Sequence, residues 1–334
     1  MSLHDHLQDI WYGGRPLAVI LLPLAITYSA FVQIRRWLYR VGVLRSVALP
    51  VPVIVVGNIT AGGSGKTPLA IWLYEFLKAN EFHPGIVSRG YGGSARHWPQ
   101  QVRPDSDPVT VGDEPVVMSR RTEAPIAVGP DRVAAATALV QHHGCDVIIS
   151  DDGLQHYALK RDVEIAVVDG VRRYGNGFCL PAGPLREPLS RLKSVDLIVS
   201  RGIGSRGEFG MKYLPQPLQP LRRSLGRGRS VPTPRQEVHA VAGVGNPDGY
   251  FEQLRALGFR MRRHAFPDHH AFQAEDICFG DGLPVIMTEK DAVKCERFAG
   301  PEHWYLPVRA ELPAVFEHRL LELLKRKGHG QKTA

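Results

Sequence analysis

The stretch Val55 to Ala70, VVGNITAGGSGKTPLA, constrains this chain more than any other. A β-branched apolar run feeds a glycine cluster, then a lysine and a threonine, then a helix-like pattern. Glycines let successive backbone N–H groups turn toward one anion, and the helix that follows presents the positive end of its dipole. Strand, loop and helix in that order are the context in which G-x-x-x-x-G-K-[ST] binds phosphate. Thr60 stands where the pattern has its first glycine, while Gly62-Gly63-Ser64-Gly65-Lys66-Thr67 is intact. A glycine-rich turn that merely carries a lysine is the plainer reading, and the strand before and helix after argue against it. The stretch predicts a nucleotide cradle over Thr60, Ala61, Gly62, Gly63, Ser64, Gly65, Lys66 and Thr67. Lys66 would reach the terminal phosphates and the Thr67 hydroxyl would face Mg²⁺.

The surroundings of the loop predict the fold. Residues 51–57, 85–88, 124–128, 146–150, 165–169 and 195–200 read as short buried strands, with helical patterns at 68–79 and 131–142. That alternation implies an α/β fold: a P-loop NTPase-like parallel sheet flanked by helices, over residues 46–200. Residues 201–237 dissolve into Gly, Pro, Arg and Ser and read as a linker or irregular ribbon. A smaller C-terminal α/β domain is expected over 238–334, with strands at 239–244 and 283–288, a helix at 248–257 and a helical tail at 312–327.

Residues 1–45 form a separate unit. The run LAVILLPLAITYSAFVQI, residues 17–34, carries no charge and is flanked by Trp11, Tyr12 and Arg15, then by Arg35, Arg36, Trp37, Tyr39 and Arg40. Aromatic and basic flanks suit a membrane interface. The run is short for a span of roughly 20 residues, and Pro23, Thr27, Ser29 and Gln33 dilute it. Its late start and the acidic residues before it disfavour a cleaved signal peptide. A buried core helix is the competing reading; a helix lying in or dipping into a membrane is the favoured one.

Composition narrows the function classes. At 334 residues and 44% hydrophobic, the chain can bury a core without covalent staples. Cys145, Cys179, Cys278 and Cys295 are scattered without C-x-x-C spacing, which points to a reducing cytoplasm and away from zinc or a disulfide framework. The net charge of +8 comes with clustered arginines, at 35, 36, 40 and 45 and again at 222, 223, 227, 229 and 235. Such clusters suit nucleic acid, anionic lipid or a phosphorylated substrate, and charge alone is equally compatible with a solvated basic surface. No RNP-type or zinc-finger spacing is present, so nucleic acid is disfavoured as a partner.

Four further stretches carry candidate chemistry. VIISDDGLQH, residues 147–156, is an apolar strand ending in Asp151 and Asp152. Two vicinal carboxylates are costly without a cation, so with a P-loop upstream Mg²⁺ binding outweighs a helix cap and turn. Asp113 and Glu114, in GDEP, read alone as acidic residues in a tight turn. The vicinal His269 and His270, in FPDHH, suit a metal, a carboxylate partner or a helix cap, and alone favour the cap. In LPAGPLREP, two prolines stiffen a loop that would present Arg186 to an anion.

Taken together, VPVIVVGNITAGGSGKTP, SRGYGG, VGDEP, DRVAAA, DVIISDDGLQHYALKRDVEI, LPAGPLREP, FPDHHAF and MTEKDAVK resemble the tetraacyldisaccharide 4′-kinase family, the lipid A 4′-kinases. They run in family order over most of the chain, and the family's own loop lacks the first P-loop glycine. The resemblance implies transfer of the γ-phosphate of ATP to the 4′-hydroxyl of a tetraacylated glucosamine disaccharide 1-phosphate. It implies an anionic glycolipid substrate, a membrane surface as working place, Mg²⁺ with ATP, and the cytoplasmic face of a bacterial inner membrane; no protein partner is indicated. It further implies Asp113 as the base for the sugar hydroxyl with His269 as its partner, Arg186 on an anion, and Mg²⁺ on Thr67 and Asp151 or Asp152, with Glu114 as a possible further ligand. Gln155 and His156 would shape the phosphate surroundings. The rivals are a partitioning-type ATPase and a membrane-associated nucleotide switch. The former often has a lysine where this chain has Ala61.

Overall fold

The computed structural model describes residues 3–13, 17–63, 65–222 and 230–328. Ser64, Arg15, Arg223, Arg227 and Arg229 lie outside the described residues. In chain order the strands are β1 (Val53–Gly57), β2 (Pro84–Ser88), β3 (Gln100–Val102), β4 (Ile126–Val128), β5 (Val147–Ser150), β6 (Val163–Asp169), β7 (Leu197–Arg201), β8 (Phe209–Pro215), β9 (Gln219–Pro220), β10 (Glu237–Ala242), β11 (Arg260–Ala265), β12 (Val285–Thr288), β13 (His303–Leu306) and β14 (Val308–Glu311). The helices are α1 (Leu3–Tyr12), α2 (Leu17–Arg40), α3 (Lys66–Ala79), α4 (Pro108–Val111), α5 (Asp113–Thr122), α6 (Arg132–His143), α7 (Pro247–Ala256), α8 (Glu289–Cys295) and α9 (Ala314–Gly328).

Among the described residues two sheets form. The larger has the order β14-β8-β7-β6-β1-β5-β2-β4-β3 and the smaller β11-β10-β12-β13-β9. Pairing in the larger is parallel except at its two edges, β3 on β4 and β14 on β8. β1 lies at the centre between β5 and β6, and all five of its residues are buried. A parallel strand covered on both faces needs a continuous apolar run, which Val53–Val56 supplies. Leu69, Leu73 and Leu77 of α3 cover one face together with Met118 of α5 and Phe316 and Leu320 of α9. Ala135 and Leu139 of α6 cover the other. The strand order reverses around β1, so the carboxyl ends of β1 and β5 open onto a crevice, the usual ligand position in such sheets.

Two regions differ from expectation. Residues 201–237 are not irregular throughout: β8 pairs with β7 and β14, and β9 pairs with β13. The chain also returns from the smaller sheet, because β14 and α9 pack on the larger one. The smaller sheet is thus an insertion between β8 and β14. In β8 only Met211 is buried, so no period-2 signal marks it.

α2 is longer than the uncharged run, reaching Arg40. One side is anchored: Tyr28 donates to the Arg186 carbonyl at 3.1 Å and Arg35 to the Gln155 carbonyl at 3.2 Å. The other side is bare, with Val19, Ile20, Leu24, Ile26, Phe31, Ile34 and Trp37 each more than half exposed. The segment Ala18–Arg40 is long and apolar enough to cross a membrane, and only 11% of its most apolar window is buried. A core helix would bury those side chains.

Candidate functional site

The phosphate cradle forms where β1 ends. Gly65 caps α3 with φ 92°, a backbone shape that favours glycine. A Cβ there would also collide with the Tyr213 hydroxyl. α3 begins at Lys66, two residues earlier than expected, so Lys66 and Thr67 stand on its first turn. Not every loop residue faces the cavity. The Ala61 N–H donates to the Pro184 carbonyl at 2.7 Å, and Thr60 is buried against Leu185. These two residues zip the cradle to the proline-rich loop that carries Arg186. Gly63, Gly65, Lys66 and Thr67 line a cleft of about 650 Å³ whose far wall comes from the smaller sheet, through Val244, Gly245, Asn246, Asp268 and Lys290.

The two aspartates after β5 diverge. Asp152, with φ 46°, turns toward cations: Lys66 Nζ lies 3.4 Å and Arg186 Nη1 3.3 Å from its carboxylate. Burial works against its charge, but Lys66, Arg186 and Arg132 hold its pKa well below the carboxylate range. Asp151 is fully buried, and its Oδ2 has no hydrogen-bond partner. Burial, then the charges of Glu114 and Asp152, push its pKa up. An unpartnered buried carboxylate oxygen beside a phosphate cradle suits a hard cation. The Asp151 carboxylate and the Thr67 hydroxyl are oxygen donors of the kind Mg²⁺ takes. Among the described residues no group of three or more His, Cys, Asp or Glu converges for a metal. Mg²⁺ needs none, since it takes most of its ligands from phosphates and water.

Asp113 and Glu114 are not in a plain turn; they open α5 after Gly112, whose φ is 94°. Acidic residues suit a helix N-terminus. Asp113 is 5% exposed, and its Oδ2 lies 3.2 Å from Nδ1 of His269. Burial disfavours its charge, but the bond from His269 and the charges of Lys290 and Lys294 hold its pKa below the usual value. The same bond raises the pKa of His269. His269 adopts φ 60° in the turn after β11, so it is not a helix cap. His270 instead faces Asp276 at 3.0 Å, away from Asp113. Glu114 pairs with Lys290 at 3.1 Å. Gln155 donates to the Asn58 carbonyl and to Glu187, and burial followed by Arg132 and Arg161 lowers the His156 pKa to about 4.

The family model described as tetraacyldisaccharide-1-P 4′-kinase matches residues 17–325. The chain belongs to that family. The tetraacyldisaccharide 4′-kinase of Nitrosococcus oceani is 54% identical over 319 residues, covering 94% of this chain and 93% of that one. The tetraacyldisaccharide 4′-kinase of Alkalilimnicola ehrlichii is 52% identical over 325 residues, covering 96% and 98%. A solved structure of LpxK from Aquifex aeolicus in complex with ATP superposes with a TM-score of 0.74 at 26% identity, covering 92% of this chain and 99% of that one.

Within this family member the structure adds residues that carried no role in the sequence reading. Tyr91, in SRGYGG, packs its ring 4.9 Å from that of His269. Arg132, which opens α6, is buried and donates to the Asp152 carbonyl at 2.7 Å. Lys290 pairs with Glu114 at 3.1 Å and Lys294 approaches Asp113 at 3.9 Å; both lysines are in MTEKDAVK. The segments were visible as motifs; spacing alone could not say which side chain met which.

Proposed function

We propose that Asp113, His269, Lys66 and Arg186 carry the transfer of the ATP γ-phosphoryl group to the 4′-hydroxyl of a tetraacylated glucosamine disaccharide 1-phosphate. The carrying observation is the 3.2 Å contact between Asp113 on the larger sheet's side and His269 on the smaller sheet's side, beside a cleft that the Lys66 loop lines. The chain is a kinase of lipid A biosynthesis and uses ATP.

Asp113 takes the proton of the sugar hydroxyl as its oxygen bonds to the γ-phosphorus and the bond from that phosphorus to the β–γ bridging oxygen breaks, releasing ADP. A carboxylate suffices, because the proton moves only as the new bond forms. His269 donates from Nδ1 to Asp113 and fixes its orientation. Lys66 and the loop amides neutralise charge building on the transferring group. Lys66 and Arg186, cations that phosphate would also engage, lie 3.4 and 3.3 Å from the Asp152 carboxylate. Thr67 and Asp151, with Asp152 beside it in sequence, would hold Mg²⁺. Bound there, the metal would supply positive charge to the β- and γ-phosphates.

The bare apolar face of α2 and its basic end support a working position on a membrane surface that carries the lipid substrate. ATP is available in the cytoplasm, so the cytoplasmic face of the inner membrane is the working side. The test is a labelled-ATP assay with the disaccharide 1-phosphate in detergent micelles, followed by locating the new phosphate. Phosphate at the 4′-position is the expected result. ATP hydrolysis indifferent to the glycolipid and stimulated by a protein would favour a nucleotide switch instead.

A further inference from the structure

Lys290 occupies an unfavourable place for a cation. It is the second residue of α8, where the helix dipole repels positive charge. It is nonetheless largely buried, with 18% of its side chain exposed. Its ammonium reaches three acceptors: Glu114 Oε1 at 3.1 Å, Asp268 Oδ1 at 3.2 Å and His269 Nε2 at 3.3 Å. One belongs to the residue after Asp113. The other two belong to the turn that carries His269, and Asp268 also accepts the His269 backbone N–H at 3.1 Å.

An ammonium has three donors and no acceptor. The imidazole nitrogen that faces it must therefore be the lone-pair nitrogen. That leaves the ring proton on Nδ1, which lies 3.2 Å from Asp113 Oδ2. We infer that Lys290 is a positioning residue that holds His269 as the neutral Nδ1–H tautomer and thereby keeps Asp113 oriented and available as a proton acceptor. The inference rests on the Asp113–His269 reading above and adds the group that sets the histidine's protonation.

The surroundings set the direction. His269 faces Asp113 from α5, Lys290 from α8, the Asp268 carboxylate 3.9 Å from its Nε2, and the Tyr91 ring. Lys294 stands 3.9 Å from Asp113. The bond to Asp113 favours an imidazolium and raises the His269 pKa, while burial and then Lys290 oppose it, so Lys290 is the cation that limits the rise. An imidazolium would put a second N–H against the ammonium, and it would pair with Asp113 as a full salt bridge, weakening that carboxylate as a base. Burial opposes the ammonium's own charge, and Glu114, Asp113 and Asp268 more than compensate, so Lys290 keeps its proton.

The experiment uses the full-length enzyme in micelles with Lys290→Met, Lys290→Arg and Asp113→Asn. In Lys290→Met, kcat should fall roughly 10- to 100-fold, the range expected when a reacting group is misplaced. Its acidic limb in the kcat–pH profile should move to higher pH, because His269 now stays protonated longer. The ¹³C shift of His269 in selectively labelled protein should report the Nδ1–H form in the wild type and imidazolium in the variant at the same pH. Lys290→Arg, again a donor-only cation, should restore the profile. Lys290 also lines the nucleotide cleft. A rise in KM for ATP with the pH profile and histidine signal unchanged would make Lys290 a phosphate ligand and overturn the inference. If Asp113→Asn keeps near-wild-type turnover, the base assignment fails instead. An inactive Asp113→Asn beside an unmoved histidine signal in Lys290→Met sinks the present inference alone.

Discussion

The site has two walls built by different means, one lining the nucleotide cleft and the other, with Asp113 and His269, lining a neighbouring pocket. The phosphate wall is local: one strand, one glycine loop and one helix turn, from Val53 to Thr67, with Asp151 and Asp152 arriving at the end of the neighbouring β5. The acceptor wall is assembled. Asp113 and His269 lie 156 residues apart and meet only because α8 packs on α5, joined by Lys290–Glu114 and by Arg121–Glu289 at 3.2 Å. A backbone cradle tolerates small shifts of the other sheet, whereas a side-chain pair spanning two sheets does not. Substitutions on the first wall should act singly, and those on the second as a unit.

The largest expected effect is on the local wall. Lys66→Ala should lower turnover on the order of 10³-fold or more with the fold intact, since the ammonium acts on charge that develops in the transition state. Near-wild-type turnover would remove the cradle from the mechanism.

Next comes the assembled wall. Asp113→Ala and His269→Ala should each reduce kcat by roughly 10²- to 10³-fold with little change in ATP affinity, and the double variant should be scarcely worse than either. Additive losses would show two independent groups and erase the contrast between the walls. His270→Ala should stay close to wild type, because His270 faces Asp276.

A smaller effect concerns α2, which is tied to the phosphate wall through Tyr28 and Arg186. Ile20→Glu with Phe31→Glu should weaken vesicle binding about 10-fold or more and raise KM for lipid more than for ATP, since each lost methylene contact is worth ~0.8 kcal/mol. Both side chains are at least 65% exposed, so the fold should not suffer. Unchanged vesicle binding would sever the membrane from this face.

The smallest effect is a stability change inside the phosphate wall. The Asp151 pKa is raised by burial above its unfolded value, so its neutral form suits the metal-free fold. The stability linked to that proton is present at low pH and is lost as pH rises through the folded pKa. Asp151→Asn should therefore raise the metal-free Tm by about 2–5 °C at pH 8 and by much less at pH 5, while reducing Mg²⁺-dependent turnover. The Asn oxygen can still accept the Asp152 N–H, which bonds Asp151 at 3.0 Å. A lower Tm at pH 8 would show that Asp151 is held by a partner in the free enzyme.

The sequence by itself determined whatever depends on neighbours along the chain. Continuous apolar runs set β1 and β5, the glycines and Lys66 set the cradle, the vicinal carboxylates marked the cation position, and the uncharged run before Arg35 marked α2. Each signal is short in range, because backbone conformation and burial period are local properties. Only the tertiary structure decided that β8, β14 and α9 close the larger sheet, that Gly112 opens a helix and not a turn, and that His269 rather than His270 meets Asp113. It also decided that Ala61 gives its N–H to Pro184, and that Lys290 stands against the histidine's second nitrogen. Most of those facts depend on groups distant in sequence, as with Asp113 and His269 156 residues apart, and a chain's spacing carries no record of which of its polar side chains will share one buried position until packing brings them there.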